Sequence, residues 1–317
     1  MTGILPIKKY GTHSALNMFE EYSMTDPGQF LNYFGFTELE VKNLTSEYGI
    51  DFEEMKKWYN GYFLDLENPI YNPKSVTSSL ERRRFSNYWN KTETYEALRE
   101  YIMLNFDGLN EKVTQLISGV DIEVDIRSFA NDMTTFVSAD DVLTLLLHLG
   151  YLAYNYEDNT VRIPNEEVKS EFIISVKNLK WDHVIKSIQN SAKLLEAIWQ
   201  KDANYVAEGI EKVHEQNSSI LAYNDENALS CVISLALYSA SEYYTTVREL
   251  PSGKGYADLV FIPRRKEFDK PAIVVELKWD KSVHGAIAQI KDRNYVSSLA
   301  EYQGNLLLVG INYDKET

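Results

Sequence analysis

The chain reads Gly253-Lys-Gly-Tyr-Ala-Asp258-Leu-Val-Phe-Ile262 and, after a short polar connection, Ala272-Ile-Val-Val-Glu276-Leu-Lys278-Trp279. Both apolar runs are short, rich in β-branched and aromatic residues, and bounded by Gly, Pro and charged residues, so both read as strands. Side chains along a strand alternate faces, so Glu276 and Lys278 leave one face while Leu277 points into the core. Asp258, near the head of the preceding strand, can reach the same point in space. Burying Glu276 and Lys278 on a sheet face costs desolvation, which their mutual attraction offsets only in part.

The neighbouring segments extend these two strands into a domain. Residues 227–238 form an apolar helix with Asp225 and Glu226 in its first turn, where the helix dipole favours acids. Residues 243–248 read as a strand, 249–255 as a turn-rich hairpin, 283–296 as a helix and 305–311 as a last strand. The order α-β-β-β-α-β predicts a small mixed sheet with a helix on either side.

The carboxylates of Asp258 and Glu276, with the Leu277 carbonyl, suit a hard cation such as Mg²⁺ or Mn²⁺. Such a cation polarises a phosphate and lowers the pKa of a bound water. Lys278 beside that water can orient it or stabilise charge developing on the phosphoryl group. Glu226 offers a further ligand or a hold on a water, and Gln289 can face the same cluster from the following helix. Asp…Glu-x-Lys recurs by chance, and alone it reads as a structural ion pair. The helix-start glutamate before it and the Gln-bearing helix after it favour the metal site.

Composition narrows the rest. The 317 residues suffice for two or three compact units, and 44% hydrophobic with 25% charged residues is ordinary for a globular protein. No run approaches the roughly 20 apolar residues of a membrane span, and no signal-peptide pattern opens the chain. The single cysteine, Cys231, cannot form an internal disulfide, so a reducing cytoplasm is expected. A net charge of −15 opposes generic affinity for nucleic acid. Residues 245–295 nevertheless carry ten Lys/Arg against seven Asp/Glu, a net of +3, which leaves −18 elsewhere. The triplet Arg264, Arg265 and Lys266 is either a solvated loop or part of a substrate surface. His13, His148, His183, His214 and His284 show no metal-ligand spacing.

The first half is helical in pattern. Thr37-Glu-Leu-Glu40 offers a capping box, Asp51 opens a short amphipathic helix that ends at Asn60-Gly61, and Asn72-Pro73 introduces the next helix. Residues 107–176 read as helix, β-hairpin, helix. Ser138 caps residues 142–148, strands at 151–156 and 160–163 flank a turn at 157–159, and Pro164 lies near the start of the last helix. That skeleton is a winged-helix-like module. Glu166, Glu167 and Glu171 make its last helix acidic, which favours packing or protein interaction over DNA readout. Amphipathic segments across 177–219 read as a helical connector.

Residues 226–295 resemble the PD-(D/E)xK nuclease superfamily. The run Arg248-Glu-Leu-Pro-Ser-Gly-Lys-Gly-Tyr-Ala-Asp258, then Glu276-Leu-Lys278-Trp, then Ala288-Gln289-Ile-Lys291 and Tyr295, narrows the likeness to the nuclease-like C-terminal domain of bacterial and archaeal AAA-ATPase-like proteins. Thr2-Gly-Ile-Leu-Pro-Ile-Lys-Lys-Tyr-Gly11, Tyr71-Asn-Pro73, Asn131-Asp-Met-Thr-Thr-Phe136 and Leu149-Gly-Tyr-Leu-Ala-Tyr154 resemble the C-terminal part of that ATPase region. The resemblance implies a mixed α+β chain: an ATPase-like, helical region at 1–176, a connector at 177–219 and a restriction-endonuclease-like domain at 220–317. It implies Asp258, Glu276 and Lys278 as the core of the site, with Glu226 and Gln289 supporting. Tyr256 stands where related nucleases often carry Arg. No Gly-x-x-x-x-Gly-Lys-Ser/Thr loop is present, and Gly253-Lys-Gly255 is a turn. The chain is therefore expected to begin after the nucleotide-binding core and to use no nucleotide cofactor.

The expected activity is Mg²⁺- or Mn²⁺-dependent hydrolysis of phosphodiester bonds, with DNA as the nucleic-acid partner and no membrane. The alternative is a catalytically silent interaction protein whose acidic N-terminal half binds a protein partner. A winged-helix DNA-binding regulator is the weaker third reading.

Overall fold

Side-chain caps decide where the N-terminal helices begin. The structure is a computed structural model. It describes residues 20, 22, 23, 25–63, 69–89, 95–127, 129, 136–217, 226–252, 255–264, 267, 269–279, 299, 302 and 305–313, with the backbone alone at 63, 95–97, 107, 226–228, 249, 251, 252, 255, 256, 279 and 313. The chain divides into two compact units, Met1–Trp181 and Asp182–Thr317.

In the first unit strand β1 (Phe36–Thr37) leads into α1 (Glu38–Tyr48), where Thr37 and Glu40 form the expected capping box. Asp51 caps α2 (Phe52–Tyr59). Strands β2 (Tyr62–Phe63) and β3 (Pro69–Tyr71) join β1 in the order β1-β3-β2. Asn72 caps α3 (Pro73–Arg82), with proline in the first turn where its missing N–H is no loss. Helices α1, α2 and α3 meet over Val41, Met55, Tyr59, Val76 and Leu80, closed by Tyr71 and Tyr88.

Helices α4 (Tyr95–Met103) and α5 (Leu109–Ile117) precede β4 (Ile122–Glu123). Ser138 caps α6 (Ala139–His148) through a second capping box, with Asp141. The expected hairpin follows as β5 (Ala153–Asn155) and β6 (Thr160–Arg162), and β4 pairs on the far side of β6. Helix α7 (Glu166–Asn178) is capped by Asn165, so Pro164 lies just outside it. Its acids do not all face water. Glu167 and Glu171 are both buried, and Glu167 Oε1 accepts hydrogen bonds from Ser75 Oγ (2.9 Å), the Tyr88 amide (2.7 Å) and the Trp89 amide (3.1 Å).

The second unit opens with α8 (Asp182–Gln200) and α9 (Ala203–Asn217), which pack on each other and on α10 (Glu226–Ala236). Among the described residues the strands β7 (Tyr244–Ser252), β8 (Gly255–Pro263), β9 (Ala272–Trp279) and β10 (Leu306–Tyr313) form a four-stranded sheet in the order β10-β9-β8-β7. β7, β8 and β9 are antiparallel in sequence, whereas β10 returns parallel to β9, so the sheet is mixed.

One boundary differs from the sequence reading. β7 does not stop at Arg248, and Leu250-Pro251-Ser252 stay paired with Ala257-Tyr256-Gly255. An edge strand tolerates Pro251, because an amide there need not serve a neighbour on both sides. The helix expected at 283–296 lies outside the described residues. Among the described residues no helix is long and apolar enough to cross a membrane.

Candidate metal and phosphodiester site

β9 lies inside the sheet, and residues 272–278 are all buried. Its sequence is accordingly a near-continuous apolar run, as expected of a strand covered on both faces. Val274 packs with Val260 of β8 and Leu299, against Leu306 and Leu308 of β10. Two residues further along the same face, the apolar floor gives way to Glu276 and then Lys278.

Glu276 is 0% exposed and Lys278 only 9%. A carboxylate so placed is costly unless it is paired and hydrogen-bonded. Lys278 meets that requirement from two residues away. Its Nζ donates to Glu276 Oε1 at 2.9 Å and to the Leu277 carbonyl at 3.0 Å.

Asp258 approaches from β8. The register pairs Leu259 with Val275 and Val260 with Val274, and continuing it by one residue sets Asp258 opposite Glu276. At this point a side chain takes over from the backbone ladder: Asp258 Oδ2 accepts the Leu277 amide at 2.6 Å. A charge-assisted bond of that length fixes the carboxylate firmly. The Leu277 peptide is thus gripped at both ends, its N–H by Asp258 and its C=O by Lys278. Asp258 and Lys278 meet at the backbone of Leu277, and Lys278 ties Glu276 to the same place.

The two carboxylates and the Leu277 carbonyl form an all-oxygen donor set, and it fits Mg²⁺ or Mn²⁺ better than a softer metal. A small cation that keeps several of its waters needs few protein ligands. Among the described residues no group of three or more His, Cys, Asp or Glu side chains could hold a metal ion. Any cation here would therefore depend on the carbonyl and on water as well as on the two acids.

The supporting residues stand differently. Glu226 is the first residue of α10, as expected, but its side chain lies outside what the structure describes. Gln289, His284, Arg265 and Lys266 lie outside the described residues. Arg264 Nε donates to the Tyr244 carbonyl at 3.3 Å, beyond the far end of β8 from Asp258.

The parallel pairing of β10 adds two positions that sequence reading missed. Gly310 pairs with Glu276 and Asn312 with Lys278. Gly310 sets no side chain beside the glutamate, and Asn312 brings an amide to the lysine's row. The alternation Leu306, Leu308, Gly310, Asn312 carried that signal, but only the register shows which face it shares.

The described histidines are His148, His183 and His214. His148 stacks on Phe129, with ring centroids 5.8 Å apart. Burial lowers the pKa of His148, and likewise of His183 and His214 on α8 and α9.

Residues 224–317 match the PD-(D/E)XK nuclease superfamily. Over 96 residues the chain is 29% identical to an "Uncharacterized protein in vnfD 5'region" of Azotobacter chroococcum mcd 1. The match takes in 30% of this chain and 18% of that protein, so the chain spans well under two thirds of its relative's length. No solved structure matches.

Proposed function

We propose that residues 224–317, the stretch that matches the PD-(D/E)XK nuclease superfamily, hydrolyse phosphodiester bonds of DNA with Mg²⁺ or Mn²⁺. The supporting observation is that Asp258 and Lys278 both bind the backbone of Leu277 while Lys278 also binds Glu276. In this reading Asp258, Glu276 and the Leu277 carbonyl hold the cation. When bound, it supplies a Lewis acid and a water of lowered pKa. Lys278 offers an ammonium to the attacking water or to the phosphoryl oxygens, and the apolar floor of Val260 and Val274 limits bulk water from below. Glu226 and Gln289 support the site from α10 and from beyond β9.

The wider reading follows from it. The C-terminal body is restriction-endonuclease-like, the helices of residues 182–217 belong to that body, and 1–176 are the C-terminal part of an AAA-ATPase-like region with a winged-helix-like module at 107–176. The chain hydrolyses no ATP and works in the cytoplasm.

The test uses the full chain with supercoiled plasmid and single-stranded DNA. Cleavage should require Mg²⁺ or Mn²⁺ and stop with EDTA. Asp258→Asn keeps an acceptor for the Leu277 amide but removes a ligand charge, and should slow cleavage by about a hundredfold or more. A folded wild-type chain that cuts neither DNA nor RNA in any divalent metal would sink the proposal. So would wild-type rates in Asp258→Asn.

One observation favours the silent alternative. Lys278 already neutralises Glu276 and occupies the Leu277 carbonyl, as a purely structural ion pair also would. Titration with Mn²⁺ by calorimetry separates the two readings. Heat of binding that disappears in Asp258→Asn supports the nuclease, and its absence in the wild type supports an interaction protein.

A further inference from the structure

Helix α3 ends at Arg82, with Arg83 and Arg84 directly after it, and all three arginines are exposed. In a chain of net charge −15, three consecutive guanidiniums run against the background. The turn that carries them is firmly built. The amides of Arg83 and Arg84 both donate to the Ser79 carbonyl. Tyr88 Oη donates to the Arg84 carbonyl at 2.6 Å, and Tyr59 Oη donates to the Ser86 carbonyl at 2.9 Å while accepting the Ser86 amide at 3.1 Å. Tyr59 and Tyr88 both belong to the core of the unit. The arginines therefore project from a turn anchored on both sides.

Arg83 has φ 49° and ψ 38°, in the left-handed region just past the helix end. Glycine is favoured there, because a Cβ crowds the following carbonyl. A large side chain at this position works against the local backbone. The helix dipole favours a basic residue at a helix end, and Lys180 and Lys201 take the same left-handed backbone just after α7 and α8, so what the dipole leaves unexplained is the run of three arginines. Neighbouring acids do not account for it either. Among the described residues, no salt bridge involves Arg82, Arg83 or Arg84. Arg82 instead rests on the Tyr88 ring, 5.3 Å from its centroid.

Guanidinium groups bind phosphate through paired N–H donors, and a row of them fits the repeating anionic backbone of a nucleic acid. We infer that the turn of Arg82, Arg83 and Arg84 is a contact surface for the phosphate backbone of nucleic acid, distinct from the carboxylate site on β8 and β9.

The experiment is fluorescence anisotropy of labelled single-stranded and duplex oligonucleotides with the full chain in EDTA, over a series of salt concentrations. The triple variant Arg82→Gln, Arg83→Gly, Arg84→Gln should bind about tenfold more weakly or worse. Its slope of log affinity against log salt should be shallower by about 2 to 3, one phosphate contact being lost per arginine. Arg83→Gly alone should bind more weakly and yet unfold at a higher temperature than the wild type, because glycine relieves the left-handed backbone. Should the triple variant melt early, Arg84→Gln alone must still lower the slope by about 1.

Wild-type affinity and slope in folded variants would overturn the inference. It would also be overturned if inorganic tripolyphosphate bound as tightly as the oligonucleotides and lost affinity equally in the variants, since the arginines would then serve a free polyphosphate. Because EDTA is present throughout, failure to cleave DNA leaves this inference standing. Failure to bind through the arginines equally leaves the cleavage proposal standing.

Discussion

A single oxygen, Oε1 of Glu167, gathers donors from Ser75, Tyr88 and Trp89 and so ties α3 and the segment after it to α7. Burial raises the Glu167 pKa, and the three hydrogen bonds work in the opposite direction. The native pKa is thus higher than the unfolded one. The stability linked to this group is fully present below the ordinary glutamate pKa and is lost as pH rises through the raised native value. Glu167→Gln keeps an acceptor oxygen for the three donors and cannot ionise. Its unfolding temperature should therefore improve relative to the wild type as pH rises from about 4 to about 7. A constant difference across that range would refute the linkage. Glu167→Leu strands the three donors and should cost about 3 kcal/mol in denaturant unfolding, read against Glu167→Gln. Little of this is visible to a count of charges, which sets Glu166, Glu167 and Glu171 together as a surface acid cluster. Helical spacing separates them. Glu167, Glu171 and Ser175 follow one another at intervals of four, beside the buried stripe of Val168, Phe172 and Val176, and a reading that looks for apolar residues passes over polar members of a buried face.

At the scale of one element, β9 was the most legible part of the chain. Period-two alternation alone sets Glu276 and Lys278 on one face and Leu277 on the other, and the structure agrees. What alternation could not supply was the bond from the Leu277 amide to Asp258, or the placing of Asn312 beside Lys278, because both depend on register between strands. The β7–β8 hairpin is longer than its composition suggests for a related reason: Leu250-Pro251-Ser252 has turn composition, and only edge position makes it acceptable as strand. The buried ion pair gives β9 a testable asymmetry. Lys278→Met leaves Glu276 buried without its cation and should cost about 3 kcal/mol or more. Glu276→Leu combined with Lys278→Met removes both charges from an apolar strand and should be as stable as the wild type or more so, while binding no metal. Chemical denaturation of the three proteins decides the matter. If the single variant is as stable as the double, the buried Glu276 does not depend on Lys278. A double variant that is stable and inactive would mean that the charges are kept for chemistry at a cost to the fold.

At the scale of the whole molecule, the sequence reading treats 177–219 as a connector, whereas the helices that span it contribute much of the core of the second unit. Amphipathic periodicity identified both helices but could not say which body their apolar faces would cover. Val184, Leu194, Leu195 and Ile198 of α8 are buried, as are Val206, Ile210 and Val213 of α9. Polar contacts fix the same packing. Trp199 Nε1 donates to the hydroxyl of the buried Tyr244 at 2.7 Å, Lys270 lies 4.5 Å from the Trp199 ring centroid, and Ser191 Oγ accepts the Ser239 amide at 3.1 Å. Each buried aliphatic side chain is worth about 1.5–3 kcal/mol, and a domain's net stability is only about 5–15 kcal/mol. Removing two such helices therefore exceeds what the sheet and α10 can spare. A fragment of residues 182–317 should unfold in one cooperative thermal transition, whereas 220–317, although it contains the whole superfamily match, should show no such transition and should expose apolar surface to a hydrophobic dye. A cooperative transition in 220–317 close to that of the longer fragment would show that the helices are ancillary. Trp199→Phe in the longer fragment gives a milder reading of the same packing: losing the bond to Tyr244 should cost about 1 kcal/mol or more, while a sheet independent of α8 would be indifferent to it.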